Sequence, residues 1–233
     1  MVRTGFAFAL IFVSTCGSLH AADVKSGVSP DEAIRLLSAG NERFAAGKPQ
    51  HPNSELDRVR ATAKDGQAPF ATVLSCADSR VPVETVFDRG VGDLFVVRVA
   101  GNVADPGTLG SIEYAAEHLG TQLIVVMGHT QCGAVKAAMD GTELYGNLPT
   151  LIDAIRPAVR KARSENPAAT AESLLEASVA QNVRHQIDAA VIKSPGLRHM
   201  VLHGKIKIVG AVYSIETGRV EWLDDAVPAA EKK

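Results

Sequence analysis

Two short segments concentrate the side chains that hold transition metals. Ser75-Cys76-Ala77-Asp78-Ser79-Arg80 and Gly128-His129-Thr130-Gln131-Cys132-Gly133 together carry two thiols, one imidazole and one carboxylate. Two thiolates and an imidazole suit a borderline-soft divalent ion in a tetrahedral shell. They exclude magnesium and calcium, which take oxygen ligands. The set predicts one zinc ion per chain, with Cys76, His129 and Cys132 as ligands and Asp78 either as a fourth ligand or beside the site. Three protein ligands with one exchangeable position make a catalytic centre, whereas four fixed ligands make a structural one. Arg80 bears on that choice. Two residues from Asp78, it can grip the carboxylate in a bidentate pair across a tight turn. Held in that way, Asp78 stays off the metal and can accept a hydrogen bond from a metal-bound hydroxide; released, it can close the shell.

Neither segment is specific alone. The competing expectation for Cys76 and Cys132 in an oxidising compartment is a disulfide. A disulfide, however, leaves His129, Asp78 and Arg80 with no reason to share the same strand ends. A non-catalytic zinc or thiol protein is a further alternative, and it has the same shortcoming. His51, His118 and His185 have no partner at ligand spacing and read as surface or packing residues.

The elements that must position these groups follow from hydrophobic patterning. Phe70 to Leu74, Leu94 to Val99 (interrupted by Arg98) and Leu123 to Met127 are short runs rich in Val and Ile without clean alternation. That is the pattern of strands buried on both faces of a parallel sheet. Ile206 to Tyr213 predicts a fourth strand, and Val220 to Leu223 a short one after the turn at Glu216-Thr217-Gly218. Helical spacing marks Thr108 to Leu119, Leu148 to Ser164 (bent at Pro157) and Ala171 to Val191. Ser29-Pro30-Asp31-Glu32 reads as a capped helix start running to about Gly47, followed by a polar connector with Pro49 and Pro52. The alternation predicts an α/β fold, a mainly parallel sheet flanked by helices. Both candidate ligand segments then leave the carboxyl ends of strands, where such sheets bind ligands.

The chain has 233 residues, 46% hydrophobic and 21% charged, with formal net charge −2. That length suits a single domain with a sizeable core. The charge balance gives no basic excess to drive nucleic-acid binding. Of the 3 cysteines, Cys16 lies in the first 22 residues. There, Arg3 precedes the apolar run Phe6 to Val13 and a small-residue stretch ending at Ala21-Ala22. This is the pattern of a cleaved signal peptide, and it predicts an exported, periplasmic or secreted protein with a catalytic domain at 23–233 and an N-terminal helical arm. The apolar run is shorter than the roughly 20 residues a membrane span needs, so no stable membrane insertion is expected after cleavage. Cys76 and Cys132 then remain as the two cysteines of the mature chain.

The motifs resemble those of the β-class carbonic anhydrases. Ser-Cys-Ala-Asp-Ser-Arg-Val at 75–81 and Gly-His-Thr-Gln-Cys-Gly-Ala-Val at 128–135 are similar to that family's two zinc motifs. Val-Arg-Val-Ala-Gly-Asn at 97–102 and Gly-Ser-Ile-Glu-Tyr-Ala at 110–115 are similar to further signatures, in the family's order. The resemblance runs from about residue 41 to 223. It implies a zinc enzyme interconverting carbon dioxide and bicarbonate, with ligands Cys76, His129 and Cys132, the switchable carboxylate Asp78 and its dyad partner Arg80. It further implies that Gln67 hydrogen-bonds substrate, that Gly133 lies beside the metal, and that dimers or tetramers build the cleft at a subunit interface. Related hydrolases of carbonyl sulfide or carbon disulfide share the fold, so a sulfur-containing substrate is the alternative within the same chemistry. The chain departs from the family at Ser214, where an aspartate is common. It also has Phe44 in a region where some members carry a tryptophan of a non-catalytic bicarbonate site.

Overall fold

The computed structural model describes residues 27–223; the segment read as a signal peptide, including Cys16, lies outside the described residues. Five strands form one sheet: β1 (Ala71–Ser75), β2 (Leu94–Arg98), β3 (Leu123–His129), β4 (Lys207–Tyr213) and β5 (Val220–Leu223). Their order is β2-β1-β3-β4-β5. The first four are mutually parallel, and β5 pairs antiparallel with β4. The predicted strands are all present, within two residues at each end. β1 and β3 are buried along their whole length, which is why their sequences show continuous apolar runs instead of alternation.

Helices cover both faces. On one lie α4 (Pro106–Glu117), α8 (Ala171–Lys193) and α9 (Pro195–Leu202), packing Leu109, Ile112, Val183, Ile187 and Leu197 against Leu74, Ile124 and Ile208. On the other lie α1 (Pro30–Ala45) and α3 (Val83–Val86), packing Leu37, Val86 and Phe87 against Val73, Val125 and Met127. The Ser29 hydroxyl accepts from the Glu32 amide, capping α1 as its sequence predicts. Gly40 lets α1 approach the α3 turn closely, since a Cβ there would lie 1.8 Å from the Phe87 carbonyl oxygen. A third apolar cluster, with Val103, Val135, Ile152, Ile155 and Val179, surrounds Cys76 and Cys132.

Two predicted features are corrected. The helix expected over 148–164 is two helices, α6 (Leu148–Asp153) and α7 (Arg156–Glu165), with Pro157 in the first turn of the second. A proline lacks the amide a helix interior needs, so it starts a new helix here instead of bending one. Within the stretch after Pro52, the chain forms α2 (Leu56–Asp65), none of whose residues is fully buried. α2 is polar overall, and its large apolar residues Leu56 and Val59 are exposed, so it reads as part of the polar connector. α5 (Gly133–Asp140) begins directly after the second ligand segment. No described helix is long and apolar enough to cross a membrane.

Candidate metal centre

Sheet topology brings the two ligand segments together. The chain passes from β1 outward to β2, then crosses back to β3 on the other side of β1. The switch in winding direction opens a crevice at the carboxyl ends of β1 and β3. Ser75 is level with Met127, so Cys76 leaves β1 beside the last residues of β3, which end at His129. Cys132 then follows at the start of α5.

Cys76, His129 and Cys132 are all buried, and their ligand atoms lie within 4.8 Å of one another. Both cysteines are free thiols, so the disulfide alternative does not hold in this structure. Nδ1 of His129 lies 2.9 Å from the Thr130 carbonyl oxygen. A carbonyl only accepts, so Nδ1 carries the proton and Nε2 presents its lone pair. That Nε2 is buried without a hydrogen-bond partner among the described residues. An orphaned imidazole lone pair facing two thiols is costly unless an ion completes it. The donor set fits zinc, and the carbonyl contact at Nδ1 is the outer support that metal-bound histidines characteristically have.

The two thiols divide one charge unequally. Cys76 is held well below the usual thiol range, first by the side chain of Cys132 and also by the amides of Gly101 and Asp78, against the opposing effect of burial. Those amides lie 3.3 and 3.4 Å from its Sγ. Cys132 is pushed up, first by its contact with Cys76 and then by burial, while the amides of Ala134 and Val135 at the start of α5 act the other way.

Asp78 is turned toward Arg80. Arg80 Nε donates to Oδ1 at 3.0 Å and Nη2 to Oδ2 at 2.8 Å, and the Arg80 amide adds a third bond to Oδ1 at 2.9 Å. Chiefly through the guanidinium, Asp78 is held far below the ordinary carboxylate range. Oδ2 remains 3.8 Å from His129 Nε2. In this geometry Asp78 pairs with Arg80 beside the Cys76, His129 and Cys132 group, which could hold a metal ion.

Gln67 is not brought to this site. It is exposed in the loop before β1, at the opposite end of the strand from Cys76. At roughly 3.3 Å per residue, β1 alone separates them by about 13 Å. Gly133 is exposed at the N-terminus of α5, and a Cβ there would meet nothing within 4 Å. Phe44 packs near Gly218 on the α1 side of the sheet, away from the cysteines.

Arg98 has a role that sequence reasoning missed. Its Nε donates to the Cys76 carbonyl at 3.0 Å and its Nη2 to the Asp78 carbonyl at 2.6 Å, pinning the loop that carries both residues. The available signal was a charge interrupting an otherwise apolar strand.

A family model described as carbonic anhydrase matches residues 71–220, which include every residue of the cluster. The chain belongs to the carbonic anhydrase family. A carbonic anhydrase of Mycobacterium tuberculosis is 40% identical over 200 residues, covering 84% of this chain and 94% of that protein. One from Mycolicibacterium smegmatis is 38% identical over 83% of this chain and 93% of its own length. Among solved structures, a β-carbonic anhydrase of Sordaria macrospora, described as tetrameric, superposes with a TM-score of 0.66 at 26% identity, covering 82% of this chain and 96% of that one. A β-carbonic anhydrase of Aspergillus fumigatus gives 0.67 at 28% identity, covering 85% and 93%. The fold and the family together place this carbonic anhydrase in the β class.

Proposed function

We propose that this chain catalyses the reversible hydration of carbon dioxide to bicarbonate and a proton at a zinc centre held by Cys76, His129 and Cys132. The observation that carries the reading is the buried, unpartnered Nε2 of His129 beside two free thiols in a chain of this family. Zinc bound there supplies an acidified water near neutral pH.

The chain's own residues do the rest. Asp78, kept ionised by Arg80, is an acceptor only and can take a hydrogen bond from the attacking water, which aims its lone pair at carbon dioxide. Arg80 fixes both carboxylate oxygens, and Arg98 fixes the backbone from which Asp78 projects. The buried apolar residues Val103, Val135 and Val179 cluster with the two cysteines and make the surroundings of the thiols apolar.

Gln67 serves as a substrate-binding residue only from a second copy of the chain, because its own site is at the other end of β1. This supports a homodimer as the minimal active unit, or a tetramer as described for the Sordaria macrospora protein. Gly133 leaves the site mouth open for the substrate. The pattern at 1–22 supports export to the periplasm or beyond, with cleavage before the helical arm.

The deciding experiment measures zinc per chain and the carbon dioxide hydration rate on the same preparation. One zinc per chain with rapid hydration is expected; zinc without hydration overturns the enzymatic reading. Hydrolysis of carbonyl sulfide or carbon disulfide faster than hydration reassigns the substrate. Sedimentation of wild type and a Gln67→Ala variant with unchanged oligomeric state but lowered turnover tests the shared site. Fractionation of the native host, with sequencing of the mature N-terminus, tests export.

A further inference from the structure

α8 carries two carboxamides in its buried face. Asn182 and Gln186 are four residues apart, hence on one side of the helix, and are 0% and 1% exposed. Burying two carboxamides is unfavourable unless their donors and acceptors are matched. The partners they have chosen are informative. Asn182 Nδ2 donates to the Gly101 carbonyl at 2.8 Å. The Ala104 amide donates to Gln186 Oε1 at 2.9 Å. Gln186 Nε2 donates to Asn182 Oδ1 at 2.9 Å and to the Ala154 carbonyl at 3.2 Å. Both side chains therefore clamp the segment 101–104, and Gln186 ties it to the junction between α6 and α7.

That segment needs a clamp. Gly101 and Asn102 are consecutive residues with positive φ, 74° and 46°, a conformation that an asparagine adopts at some cost. Ile155 closes over the turn so tightly that a Cβ on Gly101 would lie 2.5 Å from its Cδ1. The product of this geometry is one backbone group in a defined place. The Gly101 amide points at Cys76 Sγ, 3.3 Å away. An N–H donor on a thiolate fixes the direction of the sulfur lone pairs and tempers the charge it donates to a metal.

We propose that Asn182 and Gln186 are positioning residues for the Cys76 thiolate, acting through the Gly101 turn to hold an N–H···S hydrogen bond on the metal ligand. The inference rests on the reading of Cys76, His129 and Cys132 as a zinc centre and assigns to α8 a part in tuning it. Ala154, Ile155 and the 101–104 turn form the path, so Asn182 and Gln186 act on Cys76 through backbone.

The test uses the full-length protein loaded with cobalt(II), whose thiolate-to-metal charge-transfer absorption reports directly on the sulfur, and zinc affinity measured by competition with a chelator. Asn182→Leu and Gln186→Met keep volume and remove the clamp. Both are expected to shift the charge-transfer band and to weaken zinc binding by about 10-fold or more, the range typical of lost outer-sphere support. Gly40→Ala, a packing disturbance on the opposite face of the sheet, is expected to lower thermal stability and leave the band in place. Variants that lose thermal stability with band and zinc affinity unchanged overturn the proposal, because a merely structural role does only that. Should both clamp variants fail to fold, wild type loaded with cadmium-113 decides. The Gly101 amide proton is expected to show scalar coupling to the metal through Sγ, and its absence overturns the proposal. A wild-type chain that takes up neither cobalt nor zinc refutes the metal centre itself, a failure distinct from one confined to the variants.

Discussion

The carboxylate of Asp78 meets the guanidinium of Arg80 edge to edge, joined by two side-chain bonds of 2.8 and 3.0 Å. A planar fork on a planar carboxylate fixes orientation as well as charge. Asp78→Ala is therefore expected to keep its zinc and lose hydration activity by about 10- to 100-fold. Arg80→Lys retains the charge but only one donor point, so its activity should fall less than that of Asp78→Ala. Zinc content and stopped-flow hydration rates check both. An Asp78→Ala variant with wild-type turnover removes Asp78 from the mechanism.

Metal occupancy should depend on each ligand and on pH. Cys76→Ala, His129→Ala and Cys132→Ala are expected to lose zinc, read as metal per chain. In wild type, melting temperature should rise with zinc concentration and fall on chelation, because the ion binds the folded chain. Contact with Cys76 and burial keep the proton on Cys132 in the metal-free protein. Zinc uptake at neutral pH must therefore release about one proton from it. A pH indicator in weak buffer measures that release, and the affinity should weaken as pH falls. Proton-neutral uptake contradicts Cys132 as a ligand.

Asp88 makes a second, structural pH dependence. Its buried carboxylate accepts from the amides of Gln50 and His51 and from Arg43 Nε at 2.6 Å, tying α1 to the loop beyond it. Burial alone raises its pKa, but the amides and Arg43 together outweigh that and hold it below the ordinary value. A carboxylate depressed in the folded state contributes stability that is fully present above the unfolded pKa of about 3.9. That contribution is lost as pH falls through the lower folded value. Urea midpoints measured from pH 7 down to about 3 should fall in wild type and fall less in Asp88→Asn. At neutral pH the variant should already be less stable by about 2–3 kcal/mol.

Gly40 is where α1 meets a backbone carbonyl. In an isolated helix Gly→Ala adds stability of about 1 kcal/mol. Here the new methyl would meet the Phe87 carbonyl, which is part of the α3 turn and cannot swing aside. Gly40→Ala should destabilise the protein by about 1–3 kcal/mol, measured by denaturant unfolding. An unchanged or raised midpoint shows that α1 can shift without cost.

The amino-acid sequence by itself determined the ligand types, the strands and the family. Cys76, Asp78, Arg80, His129 and Cys132 are local clusters, and thiolate and imidazole chemistry selects zinc whatever the fold. Continuous apolar runs such as Leu123 to Met127 announce buried parallel strands because their pattern needs no distant partner to be read. The weaker elements were harder to read: α2 is polar overall with Leu56 and Val59 exposed, and Pro157 is as compatible with a bend as with the first turn of a new helix.

Tertiary structure decided everything that depends on approach between distant parts of the chain. Only the crossover from β2 back to β3 places Cys76 against His129, and only the folded geometry shows Asp78 gripped by Arg80 with the thiols unjoined. The folded chain also showed that Gln67 is at the wrong end of β1 for its own site. Asn182 and Gln186 look in sequence like two polar residues on a long helix. Their role becomes visible once the helix is packed against Gly101, because a hydrogen bond between residues some eighty positions apart leaves no local trace in either segment.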